Sequence, residues 1–327
     1  MKKIGILFGQ ERSFPMAFIE RVNSKEVEGV VAEPVRIGKV IQGLCDDYAV
    51  IVDRVSHDVP FYRAFLKNAA ICGTAVINNP FWWSADERFF NNCLAVKIGI
   101  PVPKTVILPS RDIPPGTSHQ SFSNLAYPLD WEGIFQYVGF PAYMKPFAGG
   151  GWKNVYRVTG TDDFFLKHAE TGQLVMLLQE EIKFEEYYRC YCVGQTHVHI
   201  ISYEPRHPCH LRYETDFKPD GARLKQLEEI VTKLNQYLGY DFNSVDIAVR
   251  DGTPYVIDCC NPVPEADELN MGKDNFEWVV EAAATYAIER ALGHEPGKDN
   301  LTWGAYIKKS VTKQSLEAAE AQRDLNY

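Results

Sequence analysis

The sequence has no apolar run long enough to cross a membrane, which argues against an integral membrane protein. The first residues, Met1-Lys-Lys-Ile-Gly-Ile6, are too short for a signal peptide and are expected to form a β-strand. Eight cysteines in 327 residues are too few for a disulfide scaffold and suit a reducing cytoplasm. The net charge of -9 argues against nucleic acid and anionic membranes as partners.

Several short binding patterns are also missing. No G-x-G-x-x-G follows the first strand, which argues against the usual dinucleotide-binding fold, and there is no Walker A sequence. Neither C-x-x-C nor H-E-x-x-H spacing occurs, so core packing of the cysteines is favoured over a zinc site. The histidines and cysteines that leave zinc open as an alternative are Cys190, Cys192, His197, His199, His207, Cys209 and His210.

The first third of the chain alternates strands with helices. The strand-like runs are Lys3–Phe8, Val27–Val35, Tyr48–Asp53 and Gly73–Asn78. Helical spacing covers Phe14–Val22 and Pro60–Cys72. This alternation predicts an open parallel α/β sheet that binds ligands at the carboxyl ends of its strands, where the polar loops Gln10–Ser13 and Asp53–Asp58 lie. With 327 residues and 46% hydrophobic content, the chain can form two domains or three lobes.

The most informative pattern is a pair of strand-like runs joined by Asp-Gly. Val245–Arg250 and Tyr255–Asp258 are rich in β-branched and apolar residues, which with the Asp-Gly predicts a β-hairpin. A three-residue loop sets Asp246 opposite Asp258, and a two-residue loop makes them diagonal neighbours. Both carboxylates are thus expected on one face, followed by the Asn261 amide. Because like charges repel unless a cation lies between them, these oxygen ligands predict a Mg²⁺ site, with a solvated strand face as the alternative.

Two further segments indicate nucleotide contacts. Lys145 ends a strand and precedes Gly149-Gly150-Gly151, whose backbone N–H groups can surround phosphate oxygens. A tight turn between two strands explains these glycines nearly as well. The apolar run Leu174–Leu178 ends abruptly in Gln179-Glu180-Glu181-Ile182, where a free backbone edge can pair with adenine. The alternative is a strand that simply leaves the core.

In order along the chain, these features resemble the ATP-grasp superfamily of ligases. The series is Arg88 on a helix, Lys145 on a strand, the glycine loop, Gln179–Ile182, Arg189 on the next strand and the acidic hairpin ending in Asn261-Pro262. The resemblance runs from about Ser84 to Glu289 and is closest to the branch of D-alanine–D-alanine ligase and the peptide-type glutamate ligases.

The resemblance implies an α/β (α+β) fold in which an N-terminal open parallel α/β lobe precedes two α+β subdomains that grip ATP. The expected domains are residues 1–83 for the N-terminal lobe, 84–173 for the central subdomain, 174–299 for the C-terminal subdomain and 300–327 for a peripheral tail. The tail is expected to hold a strand and a charged helix.

The resemblance also implies a role for individual residues. The ATP phosphates would be held by Arg88, Lys145 and the loop Gly149, Gly150 and Gly151. Adenine would meet Gln179 and the backbone of Glu180 and Ile182, and the ribose would meet Glu185 or Glu186. The transferred phosphoryl group or acyl phosphate would face Arg189 and Arg212, and Mg²⁺ would be ligated by Asp246, Asp258 and Asn261.

Two positions depart from the family pattern. Such ligases usually carry Lys where Arg88 stands, and Arg keeps the charge with a different shape. They also usually place Glu two residues before the Asn, whereas this chain has Cys259 there and Asp258 one residue earlier. A β-bulge at Cys259-Cys260 would restore the geometry of the second metal ligand.

The function implied is an ATP-dependent ligase that joins a small-molecule or peptide carboxylate to an amine through an acyl phosphate. ATP and Mg²⁺ are the expected cofactors, and the protein is expected in the cytoplasm, with a homodimer left open. The substrate residues predicted are Ser56, His57, Tyr62, Arg63 and His207. A kinase on the same fold and a nucleotide-binding module without turnover are the alternatives, and the altered spacing at Asp258 favours the second.

Overall fold

The structure, a computed structural model, describes residues 1–11, 13–44, 46–81, 88–148, 153–214, 219–261, 263–295 and 298. The predicted glycine loop Gly149–Gly151 and the predicted strand and helix beyond Asn300 lie outside these residues. The chain forms two compact units. The first comprises Met1–Trp83, Tyr187–Asp246 and Cys260–Tyr327, and the second comprises Ser84–Glu186 and Ile247–Cys259.

A parallel sheet forms the N-terminal part of the first unit. Its strands are β1 (Lys2–Leu7), β2 (Val30–Pro34), β3 (Tyr48–Asp53) and β4 (Ala75–Ile77), in the order β2-β1-β3-β4. Helix α1 (Ser13–Ser24) connects β1 to β2, and α2 (Pro60–Ile71) connects β3 to β4. Apolar runs form these strands because both faces of a parallel sheet are covered. The predicted α/β lobe is confirmed, and the loops after β1 and β3 flank the point where the strand order reverses.

The remainder of the first unit is mixed. It contains strands β9 (Glu186–Val193), β10 (His197–Tyr203) and β11 (Tyr213–Glu214) and helices α6 (Gly221–Leu238), α7 (Glu268–Met271) and α8 (Lys273–Leu292). Helix α6 buries Leu227, Val231 and Leu234 at helical spacing. It begins after Asp220, whose side chain accepts from the Arg223 N–H, and ends before Gly239, which adopts φ 68°. Helix α8 buries Phe276, Val279 and Val280 in the same core as α1.

An antiparallel sheet forms the centre of the second unit. Its strands are β5 (Thr105–Leu108), β6 (Ala142–Pro146), β7 (Tyr156–Val158) and β8 (Met176–Glu180), in the order β5-β8-β6-β7. Its helices are α3 (Arg88–Lys97), α4 (Trp131–Val138) and α5 (Thr161–His168). The Trp131 and Phe135 rings of α4 and the Phe164 ring of α5 pack over the buried strand residues Met144 and Leu178.

The predicted hairpin consists of β12 (Phe242–Arg250) and β13 (Thr253–Asp258). Together with β9, β10 and β11 these strands form a sheet in the order β11-β10-β9-β12-β13. The turn has two residues, Asp251 with φ 51° and Gly252 with φ 73°. Both values are positive, as a type I′ turn requires, and this explains why Asp-Gly occurs here.

The two-residue turn changes the expected relation between the hairpin carboxylates. With strand ends at Arg250 and Thr253, a regular ladder would pair these two residues and therefore Asp246 with Ile257. Side chains alternate along a strand, so Asp258 takes the face opposite to Asp246. For this loop length the sequence argument for a shared face does not hold, and the predicted Mg²⁺ site rests on the family resemblance.

Among the described residues, no helix has both the length and the apolarity needed to span a bilayer. Cys72 is disulfide-bonded, and the free thiols are Cys93, Cys190, Cys192, Cys209, Cys259 and Cys260. Two short elements, β11 and α7, carry no clear sequence signal because two to four residues are too few to show a period.

Candidate functional site

Two predicted phosphate-binding cations lie at the end of β6 in the second unit. Lys145 is on the strand itself, and Arg88, the first residue of α3, donates from Nη1 to the Pro146 carbonyl at 3.1 Å. The Lys145 ammonium donates to the Ile257 carbonyl of β13 at 3.5 Å. Two cations fixed at one strand end form an arrangement suited to phosphate oxygens.

The polar residues at the end of β8 have well-defined partners. Gln179 is buried, 3% exposed, and its side-chain amide donates to the Thr105 hydroxyl at 3.0 Å. The Glu180 carboxylate accepts from Arg250 Nη1 at 2.7 Å and from the Lys104 backbone N–H at 3.3 Å. The Gln179 side chain is therefore committed to the core, and its backbone lies in a strand that pairs with both β5 and β6.

The residues between β8 and β9 follow directly on the polar end of β8. Ile182 is buried, and Glu186 begins β9. The Glu185 backbone N–H donates to the Val249 carbonyl at 2.9 Å, and its carboxylate accepts from the Asp251 N–H at 3.2 Å. Thus the predicted ribose carboxylate Glu185 lies beside the hairpin turn.

Sequence reasoning missed an ion pair at the same edge. Arg157 of β7 donates to Glu181 through Nε and Nη2, both at 2.8 Å, and these bonds lower the pKa of Glu181. Tyr143 of β6 faces Arg157 on one side and Gln179 on the other. The pair could not be found in the sequence because it depends on the register of three strands.

A largely buried ion pair lies in the first unit. Arg189 of β9 donates from Nε and Nη2 to the two oxygens of Asp246, each at 2.9 Å, with side-chain exposures of 14% and 15%. Burial alone would lower the pKa of Arg189, but the Asp246 carboxylate raises it well above its ordinary value. The Asp246 charge is therefore balanced by Arg189.

Further groups complete the surroundings of Arg189. Its Nη1 donates to the Tyr213 hydroxyl and to Glu265 Oε2, both at 3.2 Å, and its Cζ lies 4.0 Å from the centre of the Tyr203 ring. Arg212 also reaches Tyr203, whose hydroxyl accepts from Nη1 at 3.4 Å. The two arginines predicted to face the phosphoryl group thus meet at Tyr203. No sequence signal marks Glu265, which lies in a loop.

The predicted Mg²⁺ ligands have suitable donor types. Asp246 and Asp258 offer carboxylates and Asn261 an amide oxygen, and Mg²⁺ usually takes one or two carboxylates with water and substrate phosphates. Within the described part of the chain, no group of three or more His, Cys, Asp or Glu residues could hold a metal ion. Cys259 is buried, and burial and Asp258 raise the pKa of its thiol, so it is a poor substitute for the Glu that the family resemblance implies here.

The predicted substrate residues of the N-terminal lobe are only partly grouped. The Arg63 guanidinium donates to the Ser56 carbonyl at 3.3 Å and to the His57 carbonyl at 3.2 Å, so it supports the loop after β3. Tyr62 lines a cavity of about 250 Å³ at the carboxyl ends of β1 and β2. His207 contacts the Leu211 carbonyl instead.

A buried arginine joins the loops after β1 and β3. Arg54 donates to Glu11 through Nε at 2.9 Å and Nη2 at 2.6 Å, and Nη2 also donates to the Pro264 carbonyl at 2.7 Å. Its Cζ lies 4.8 Å from the centre of the Phe14 ring. This contact connects the carboxyl edge of the parallel sheet to the loop that follows Asn261.

The alternative zinc residues are not assembled. Pairing of β9 with β10 sets His197 opposite Val193 and His199 opposite Tyr191, so Cys190 and Cys192 lie on the other face. The His199 imidazole instead stacks on Trp278 and contacts Asn275 at 2.8 Å.

Comparison with solved structures supports one fold across nearly the whole chain. A RimK domain ATP-grasp protein from Sphaerobacter thermophilus matches with a TM-score of 0.60 at 16% identity, over 88% of this chain and 99% of that chain. The ATP-grasp ligase PsnB, complexed with a minimal precursor, matches with a TM-score of 0.64 at 14% identity, over 89% and 99%.

D-alanine–D-alanine ligase from Bacillus anthracis, complexed with ATP, matches with a TM-score of 0.63 at 14% identity, over 89% of this chain and 98% of that chain. No protein-family model matches the sequence, and no curated protein matches it. At these identities the likeness establishes the fold, and the resemblance drawn from the sequence is confirmed at that level.

Proposed function

We propose that this chain, which has the ATP-grasp fold, is an ATP-dependent ligase that joins a carboxylate to an amine. The observation that carries the proposal is the pair of cations, Arg88 and Lys145, at the end of β6 in a fold shared with solved ligases. The proposed chemistry begins with attack of a substrate carboxylate oxygen on the γ-phosphorus of ATP, which breaks the bond to ADP. The amine then attacks the acyl carbon, phosphate leaves and the nitrogen loses a proton.

The protein's contribution is to position groups and neutralise charge. Lys145 and Arg88 would bind the nucleotide phosphates, and the backbone around Glu180 and Ile182 would meet adenine. Arg189 and Arg212 would stabilise the oxygens that gain charge in transfer. Mg²⁺, held by Asp246, Asp258 and Asn261, would offset the negative charge of the phosphates when bound.

A nucleotide-binding module without turnover is the second candidate. The observation in its favour is Cys259, which is 2% exposed and stands where related ligases carry a Glu. We further propose small-molecule or peptide substrates, since the net charge of -9 argues against nucleic acid and anionic membranes as partners. The cytoplasmic location stays a prediction, and the disulfide at Cys72 counts against it. The homodimer stays a prediction.

A product analysis tests the function. The protein is incubated with Mg-ATP and a panel of amino acids and short peptides, and phosphate release and product masses are recorded. A ligase gives ADP, phosphate and a product whose mass is the sum of two substrates less one water. A phosphorylated acceptor would show a kinase instead, and binding of ATP without any product across the panel would favour the module without turnover.

A further inference from the structure

The Arg189 guanidinium is almost fully engaged within the protein. Its four hydrogen bonds run to Asp246 through Nε and Nη2 and to Glu265 and Tyr213 through Nη1. A guanidinium has five N–H donors, so one is left without a partner among the residues that the structure describes. Arg189 can therefore donate two hydrogen bonds to a phosphoryl group only after one of its carboxylate partners has released it.

The two carboxylate partners differ in how they are held. The Glu265 carboxylate is anchored by the Tyr213 hydroxyl at 2.9 Å and by the Asn270 amide at 2.8 Å. Apart from Arg189, the hydrogen bond that Asp246 makes to a described residue is a long one of 3.5 Å from the Tyr187 hydroxyl. Glu265 is thus held in place by groups other than Arg189, whereas Asp246 is held mainly by Arg189 itself.

The backbone around Glu265 is fixed as well. Three successive carbonyls accept from side chains of other elements: Pro264 from Arg54 at 2.7 Å, Glu265 from Tyr191 at 2.7 Å and Ala266 from Ser13 at 3.3 Å. Side chains from α1, from β9 and from the residue after β3 therefore hold this loop, which makes its position independent of what Asp246 binds.

We propose that Glu265 is a positioning residue: it holds the Arg189 side chain in place when Asp246 leaves Arg189 to bind a cation. This inference rests on the proposed function. When the hydrogen bonds to Asp246 break, Nε and Nη2 of Arg189 become free. These two donors can bind a phosphoryl group in a bidentate manner. Nη1 stays on Glu265, and the Tyr203 ring, 4.0 Å from Cζ, keeps covering one face of the guanidinium. Glu265 thereby fixes the position of the freed Nε and Nη2 donors of Arg189.

The test uses the whole chain and inorganic phosphate as the probe. Phosphate affinity is measured by calorimetry in the presence of saturating Mg-ADP for the wild type, Glu265→Gln and the control Glu268→Gln. Glu268 is exposed and three residues away, so the control makes the same chemical change outside the cluster. We expect Glu265→Gln to weaken phosphate binding about tenfold with little change in Mg-ADP affinity, because only the phosphate-facing group loses its charged anchor.

A second variant, Tyr213→Phe, keeps the Glu265 charge and removes one hydroxyl that anchors it, so a smaller loss in the same direction is expected. Unchanged phosphate affinity in Glu265→Gln, an equal loss in Glu268→Gln, or no phosphate binding by the wild type would overturn the inference. Parallel losses of phosphate affinity, Mg-ADP affinity and melting temperature would show a merely structural role. A wild type that binds no Mg-ADP would instead show that the proposed function is wrong.

Discussion

Replacing Asp246 by asparagine is expected to lower the free energy of unfolding by about 3 kcal/mol, near the lower end for one broken buried ion pair, because Glu265 remains beside Arg189. The sequence alone predicts the reverse, since two neighbouring carboxylates would repel and the loss of one would relieve them. The structure reverses the expected sign of the change in the free energy of unfolding, because Arg189 already donates to both Asp246 oxygens. Urea denaturation without nucleotide measures the effect.

Asp251→Asn is the matched control for this substitution. Asp251 is exposed in the turn of the same hairpin, and asparagine tolerates its positive φ of 51°. Its free energy of unfolding should match that of the wild type. An Asp246→Asn protein that is as stable as this control would contradict the buried ion pair.

Replacing Arg54 by leucine is expected to cost about 4 kcal/mol of stability, because it leaves the Glu11 carboxylate and the Pro264 carbonyl without their buried donor. The Arg54 side chain is 2% exposed, so water cannot take over its role without local rearrangement. Thermal and urea unfolding of Arg54→Leu and of Arg36→Leu, an exposed arginine of the same unit, give the comparison.

The double variant Glu11→Leu/Arg54→Leu separates the ion pair from general packing. Removing both charges takes away the uncompensated carboxylate, so part of the lost stability should return. If the two side chains do not act as a pair, the second substitution adds its own full cost. The double variant is then less stable than Arg54→Leu.

Local patterns predicted the elements that are long or have marked turns. Helix α6 follows its apolar spacing between Asp220 and Gly239, and the β12–β13 hairpin follows from Asp-Gly, because both signals depend on neighbouring residues alone. The faces of Asp246 and Asp258 could not be fixed in the same way, because a change of one residue in loop length moves a side chain to the opposite face.

Contacts between residues far apart in the chain could not be predicted from the sequence. Arg189 and Asp246 are 57 positions apart, and Arg54 and Pro264 are 210 apart. Each lies in a segment that reads as an ordinary strand or loop, and only folding brings them together. Glu265 was missed for the same reason, since its importance comes entirely from Arg189, Tyr213 and Asn270.

The most direct test of the central claim is the melting temperature of the protein with and without Mg-ATP, for the wild type, Lys145→Ala and Lys97→Ala. At about a hundredfold excess over the dissociation constant, Mg-ATP should stabilise the wild type by roughly 3 kcal/mol. Lys145→Ala should need more ATP for the same shift, because it loses a charge-assisted contact worth on the order of 1.5–3 kcal/mol. Lys97, exposed in the last turn of α3, should behave as the wild type when replaced. A wild-type melting temperature that Mg-ATP leaves unchanged would contradict the nucleotide site and the ligase proposed from it.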